Sequence, residues 1–212
     1  MTKRCVILGS GGHAKVVIEA LRAEGLLEPA VIVDADPARK GGQIFGVPIV
    51  GDDSELPAIL ASGVTFVVAG VGGVGDNLPR RRLMENAFRA GFSLAGVIHP
   101  SALISPSALI SPSVQVFAGA VIGPDTVLAE GVVVNTRAVV EHDCQIGEYA
   151  HIATGAVLAG GVRVSAMAHI GAGATVRQKI VIGSGAVVGA GAVAVRNVED
   201  GQVVVGVPAR PL

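Results

Sequence analysis

Two patterns of apolar and polar positions divide the chain near Gly96. Before it, short apolar runs of strand length alternate with stretches of helical spacing. After it, an Ile, Val or Leu recurs at every sixth position, from Ile98, Ile104 and Ile110 to Ile182 and Val188, sixteen times without a break in phase. Four residues after each stands a mostly small side chain, from Ala102 and Ala108 to Ala186 and Ala192. A period of six is neither the 3.6 of an amphipathic helix nor the 2 of a half-buried strand. A fixed short period marks a solenoid. If each hexad is one short strand plus a corner, the Ile/Val/Leu position points inward and the small position near the corner lets the chain turn. Three hexads then close a triangular coil, and coils stack because none can bury its apolar face alone. The sixteen hexads amount to about five coils.

The first part reads as a small α/β unit. Arg4 to Leu8 is a strand, Gly9-Ser10-Gly11-Gly12-His13 a glycine turn, and Ala14 to Glu24 a helix closed by Gly25. Val31 to Val33 is a second strand ending at Asp34, and Thr65 to Ala69 a third ending at Gly70. A further helix spans Leu78 to Ala90, with Arg80, Arg81 and Arg82 on a solvated face. The expected architecture is a Rossmann-like domain over 1–96 followed by a parallel β-helix over 97–212.

Composition narrows the function classes. Charged residues are only 16% of the 212, which excludes a self-repelling disordered chain, and the formal net charge of −1 offers no electrostatic footprint for nucleic acid or anionic lipid. The mean hydropathy of +0.62 arises from Val, Ile and Ala interrupted every few positions by Gly, Pro, Ser or Asp, so no run is long enough to span a membrane. Lys3 and Arg4 precede an apolar run, Cys5 to Leu8, too short for a signal sequence. Cys5 and Cys144 form no C-x-x-C pair, which fits a reducing cytoplasm.

Gly9-x-Gly11-x-x-Ala14 between strand and helix, with Asp34 about 20 positions on, matches the dinucleotide fingerprint. Glycines there admit a phosphate close to the backbone, at a helix start with unpaired N–H groups. The space before the solenoid suits one mononucleotide-binding half, so a nucleotide-diphosphate ligand fits better than a dinucleotide. The bland reading is a tight turn without a ligand. In the solenoid, Glu141-His142-Asp143 interrupts the apolar hexads near a corner, as a general base with an adjacent carboxylate or as a solvated histidine. His151 and His169 fall on the same edge of neighbouring coils, but no register gathers them with His142 into a zinc site. Cys144 takes an inward position and reads as core.

The strand-Gly-Ser-Gly-Gly-His-Ala-Lys start, the hexapeptide repeat, Glu141-His142-Asp143 and the ending Gly206-Val207-Pro208-Ala209-Arg210 together resemble the NeuD/PglD family of sugar O- and N-acetyltransferases. The resemblance runs from Cys5 to Arg210 and implies left-handed winding, against the usual crossover preference. It further implies a homotrimer that uses acetyl-CoA to acetylate a nucleotide-linked amino sugar (UDP-, dTDP- or GDP-linked), while the cysteines, the charge and the histidine spacing above lead us to expect a cytoplasmic protein with no metal and no nucleic-acid or membrane partner. By motif position, His142 would be the general base and Asp143 its partner. His151 would meet the acetyl end of acetyl-CoA, with Ala172 and Ala190 lining its groove. Ser10, Gly11, Gly12, His13, Asp34, Ala35 and Gly70 would hold the nucleotide sugar. The alternatives are a sialic-acid-type or serine O-acetyltransferase, a zinc γ-carbonic-anhydrase-like enzyme, and a non-catalytic scaffold.

Overall fold

A computed structural model describes residues 3–212. The chain divides into two compact units: residues up to 72 with 79–97, and residues 73–78 with 98–212.

The first unit is a six-stranded sheet in the order β3-β4-β2-β1-β5-β6, parallel except for the β3–β4 hairpin. Its strands are β1 (Lys3–Leu8), β2 (Leu27–Val33), β3 (Gln43–Ile44), β4 (Val47–Gly51), β5 (Phe66–Ala69) and β6 (Ser93–Leu94). Its helices are α1 (Gly12–Glu24), α2 (Leu56–Ala61) and α3 (Leu78–Arg89). Cys5, Val6, Ile7 and Leu8 are all buried, as a central parallel strand covered on both faces requires. Strand β2 starts four residues before the expected Val31, and its register on β1 shifts where Cys5 faces Pro29 and Val6 faces Val31. Pro29 has no N–H to give, and Ala30 bulges out as the extra residue.

One expectation fails on α3. Arg80 is fully buried rather than solvated, because Arg80, Met84 and Ala87 follow helical spacing down the inner stripe. Arg81 does lie outward and pairs with Glu85 at 2.7 Å.

The second unit is a left-handed parallel β-helix of two-residue strands arranged in three faces. Val121 pairs with Leu103 and with Val139, each 18 residues away, so one coil is three hexads. The first face carries Gln115–Val116, Val133–Val134, His151–Ile152, His169–Ile170 and Val187–Val188. The second runs from Leu103–Ile104 to Val193–Ala194, and the third from Leu109–Ile110 to Val181–Ile182.

The periodic residues from Val116 onward fill the prism, and the small residues line it with them. Ile98 remains 36% exposed at the open first coil. The turn falls one residue earlier than the small position: residues such as Asp125, Arg137, Asp143 and Lys179 take a left-handed backbone there, with φ of 56°, 57°, 60° and 58°. After Ala194 the phase slips. Val187 pairs with Val203, 16 residues on, while Asn197 and Asp200 side chains accept from the Val181 and Ser184 amides.

Candidate functional site

His142 sits on the corner that leads from the second face to the third. Asp143, next in the chain, has φ 60°, a conformation that Asp tolerates better than most residues. The bend brings its carboxylate Oδ2 to 2.7 Å from His142 Nδ1. That hydrogen bond, and then the Asp143 and Glu141 charges, raise the imidazole's pKa above the ordinary value. Nδ1 is thereby the protonated nitrogen, and Nε2 keeps its lone pair outward.

One neighbour of this pair is not singled out by the sequence pattern. Gly160 lies one coil further on, and a Cβ there would stand 2.5 Å from both Cε1 and Nε2 of His142. Gly160 is therefore the floor on which the imidazole rests. Around the pair opens a cavity of about 750 Å³, lined among others by Asp125, Gln145, Arg163, Gln178 and Lys179. Cys144 faces away from it. Its Sγ lies in the core, 3.4 Å from the Ala159 carbonyl, and burial pushes the thiol's pKa up, as suits a packing residue.

His151 is carried by the first face, in register with His169, and the two rings meet edge-to-face at 5.0 Å. Its Nδ1 is 3.0 Å from the Gly73 carbonyl and its Nε2 3.3 Å from Asn135 Nδ2. Ala172 and Ala190 are exposed on the corner between the first and second faces, where the Gly191 amide donates to the Ala172 carbonyl. Within one protomer these residues and His142 occupy different edges of the prism. Among the described residues no group of three or more His, Cys, Asp or Glu side chains is placed to hold a metal ion.

In the first unit, the ends of β1 and β5 flank the point where the strand order reverses. Gly9 has φ 93°, and a Cβ on Gly70 would stand 2.6 Å from the Gly9 carbonyl oxygen, so both glycines permit the close approach that shapes this edge. Ser10 is buried, and its amide and hydroxyl both donate to Asp34 Oδ2, at 2.6 and 2.5 Å. The Asp36 amide donates to Asp34 Oδ1. Against a burial that opposes it, these bonds hold the Asp34 carboxyl below its usual range.

Arg39, which the pattern did not single out, closes the cluster by donating to the Ser10 carbonyl at 2.7 Å. Ser10 and Asp34 thus act on each other, and the open surface is left to Gly11, Gly12, His13 and Ala35. Among the described residues no side chain caps α1 at Gly11, and a Cβ on Gly11 or Gly12 would meet nothing within 4 Å. An uncapped helix start with open space before it suits an anion.

Comparison with known proteins gives two family matches: "PglD N-terminal domain" over residues 4–87 and "Bacterial transferase hexapeptide (six repeats)" over 125–160. A curated relative, the UDP-galactose-lipid carrier transferase of Erwinia amylovora, is 32% identical over 69 residues, which are 32% of this chain and 14% of that protein. The chain thus matches only a small part of that relative's length. Among solved structures, PerB from Caulobacter crescentus, in complex with CoA and GDP-perosamine, has a TM-score of 0.92 and 44% identity, and a mutant of perosamine N-acetyltransferase from the same organism, with the same ligands, a TM-score of 0.93 and 43% identity, each match covering 100% of this chain and 98% of that one. The acetyltransferase domain of PglB from Neisseria gonorrhoeae, in complex with acetyl coenzyme A, has a TM-score of 0.89 and 40% identity over 100% of both chains.

Proposed function

Since the chain belongs to the NeuD/PglD family of hexapeptide-repeat acetyltransferases, we propose that it transfers the acetyl group of acetyl-CoA to the amino group of a nucleotide-linked amino sugar. The observation that carries this reading is the His142–Asp143 pair, with its outward Nε2 resting over Gly160 at the edge of a cavity large enough for a sugar.

His142 Nε2 accepts the proton as the amine nitrogen forms its bond to the acetyl carbon. The C–S bond breaks as the tetrahedral intermediate collapses, and the proton passes to the departing CoA sulfur. Asp143 keeps the ring oriented and stabilises its charged form, and backbone N–H groups at the corner serve the oxyanion. No covalent acyl-enzyme is needed, which agrees with the inward thiol of Cys144.

The first unit holds the nucleotide. The uncapped start of α1 takes the diphosphate at Gly11, Gly12 and His13, and the Ser10–Asp34–Arg39 cluster stiffens that turn. GDP-perosamine, bound by the Caulobacter enzyme, is the first acceptor to try.

A homotrimer completes the site. Along the second face the outward residues are Leu103, Val121, Val139, Val157, Thr175 and Val193, an apolar ladder without a charge. Packing three such faces about a common axis sets the His142 edge of one protomer beside the Ala172–Ala190 edge of the next, which supports an acetyl-CoA groove shared between protomers.

The test is turnover with acetyl-CoA and GDP-, UDP- or dTDP-linked 4-amino sugars, followed by CoA thiol release. The expected product is an amide that resists hydroxylamine. A hydroxylamine-labile ester would mean an O-acetyltransferase, and no thiol release with any acceptor would sink the reading.

A further inference from the structure

Residues Gly73–Leu78 follow β5 in the chain yet belong to the β-helix unit. Asn77 is 1% exposed and gives its amide N–H groups to the Met167 and Ala168 carbonyls, at 3.1 and 3.2 Å. Its Oδ1 is buried and, among the described residues, has no hydrogen-bond partner, and it packs so closely over Gly73 that a Cβ there would overlap it. A buried, unsatisfied amide oxygen works against stability, so its presence calls for another reason. The same strap supplies one. Its Gly73 carbonyl is the oxygen that meets His151 Nδ1.

A carbonyl only accepts, so His151 carries its proton on Nδ1 and has a lone pair on Nε2. At the other end, the Thr136 amide donates to Asn135 Oδ1 at 2.8 Å, which turns Asn135 Nδ2 toward His151 Nε2. The chain of hydrogen bonds therefore runs one way, from Thr136 N–H through Asn135 and His151 to Gly73, with a backbone group fixing its direction at each end. We propose that Asn77 is a positioning residue: it pins the 73–78 strap so that the Gly73 carbonyl locks His151 in the Nδ1–H tautomer and so preorganises the acetyl-CoA site. This rests on the reading above in placing acetyl-CoA near His151. Released from Gly73, the ring keeps the long 3.3 Å contact with Asn135 Nδ2, which is too weak to hold one tautomer, so part of the population carries the proton on Nε2 and turns Asn135 away, leaving the adjoining corner unfixed.

The test uses the full chain labelled with ¹⁵N-histidine, of which it has only five to resolve. Long-range ¹H–¹⁵N correlation should show His151 protonated at Nδ1 and not at Nε2. In Asn77→Leu, nearly equal in size but without the two donors, the expected result is mixed tautomers and a CoA affinity weakened about five- to tenfold by calorimetry, with nucleotide-sugar affinity unchanged. Gly73→Ala should do the same by pressing a methyl group onto Asn77 Oδ1. Should Asn77→Leu not fold, Asn77→Ser, which keeps one donor, is expected to show the same changes at smaller amplitude. The proposal is overturned by an Nε2–H tautomer in the unmodified protein, by an unchanged tautomer in the variants, or by a changed tautomer with unchanged CoA affinity. The tautomer and affinity measurements need no turnover, so an inactive protein would count against the proposed reaction and not against the strap.

Discussion

Replacing Gly160 with alanine should disable the base while sparing the fold. The added Cβ would stand 2.5 Å from Cε1 and Nε2 of His142, where ordinary contact begins at 3.4 Å, so the ring must retreat by about 0.9 Å. Nothing in the backbone opposes the substitution, since Gly160 is not among the positive-φ glycines and the atoms met belong to the end of an exposed side chain. The ring yields by swinging into the cavity, which stretches its 2.7 Å bond to Asp143 and carries Nε2 off the line of the attacking amine.

A displacement of about 1 Å at a reacting group costs on the order of 10²-fold in rate. The expected result is therefore a kcat about 10²-fold lower with melting unchanged to within about 0.5 kcal/mol. The assay is CoA thiol release under saturating substrates, beside a thermal melt. Gly147→Ala provides the contrast, because its Cβ would meet backbone atoms of the next coil, Ala166 N at 2.7 Å and Ser165 C at 2.9 Å. That variant should lose about 1–3 kcal/mol of stability, as overpacking does. A folded Gly160→Ala that keeps kcat within about threefold of the unmodified enzyme would refute the claim that Gly160 seats the base.

His142→Ala should lower kcat by about 10²–10⁴-fold and leave CoA affinity, read by calorimetry, nearly intact. Asp143→Asn keeps a residue that tolerates φ 60° but weakens the hydrogen bond and removes the charge that together raise the His142 pKa, and since the proposed base works unprotonated, the acid limb of the kcat–pH profile should move to lower pH. An unmoved limb would mean that another group titrates. Gly11→Val fills the open space before α1, so KM for the nucleotide sugar should rise while KM for acetyl-CoA stays; the reverse pattern would exchange the roles of the two units. If the proposed trimer packs on the apolar ladder, Val139→Glu should dissociate it in sedimentation, and a variant still trimeric would move the interface to another face.

The coil was legible because one constraint repeats: the inner Val, Ile or Leu must return every six residues to fill a narrow prism. His142 and Asp143 stood out for the same reason, as charge in an otherwise apolar repeat. Gly160 did not, although the same 18-residue stacking places it beside His142, because a glycine among many glycines brings no charge or chemistry to mark it. Arg80 was misjudged because three consecutive arginines look solvated, while only their angular positions on α3 decide which one turns inward. Strands β3 and β6 left no pattern since two-residue strands are too short for alternation to appear, and in the five-residue β4 the proline at its second position, Pro48, obscures the strand signal. Asn77 could not have been found, as its partners are main-chain carbonyls 90 and 91 residues away, invisible in side-chain identity.

The 18-residue register makes position on the β-helix a matter of modular arithmetic. His142 and Gly160 differ by one full coil and share an edge, as do Ala172 and Ala190 on theirs. Gain or loss of three hexads would lengthen or shorten the prism and leave every downstream residue on its own edge. Gain or loss of a single hexad would turn everything beyond it by about 120°, carrying Ala172 and Ala190 to another edge while His142 stayed put. Outside the stretch from His142 to Ala190 the prism can therefore vary in height by whole coils, whereas a single-hexad change between His142 and Ala172 would turn the proposed acetyl-CoA edge away from the proposed base in one step.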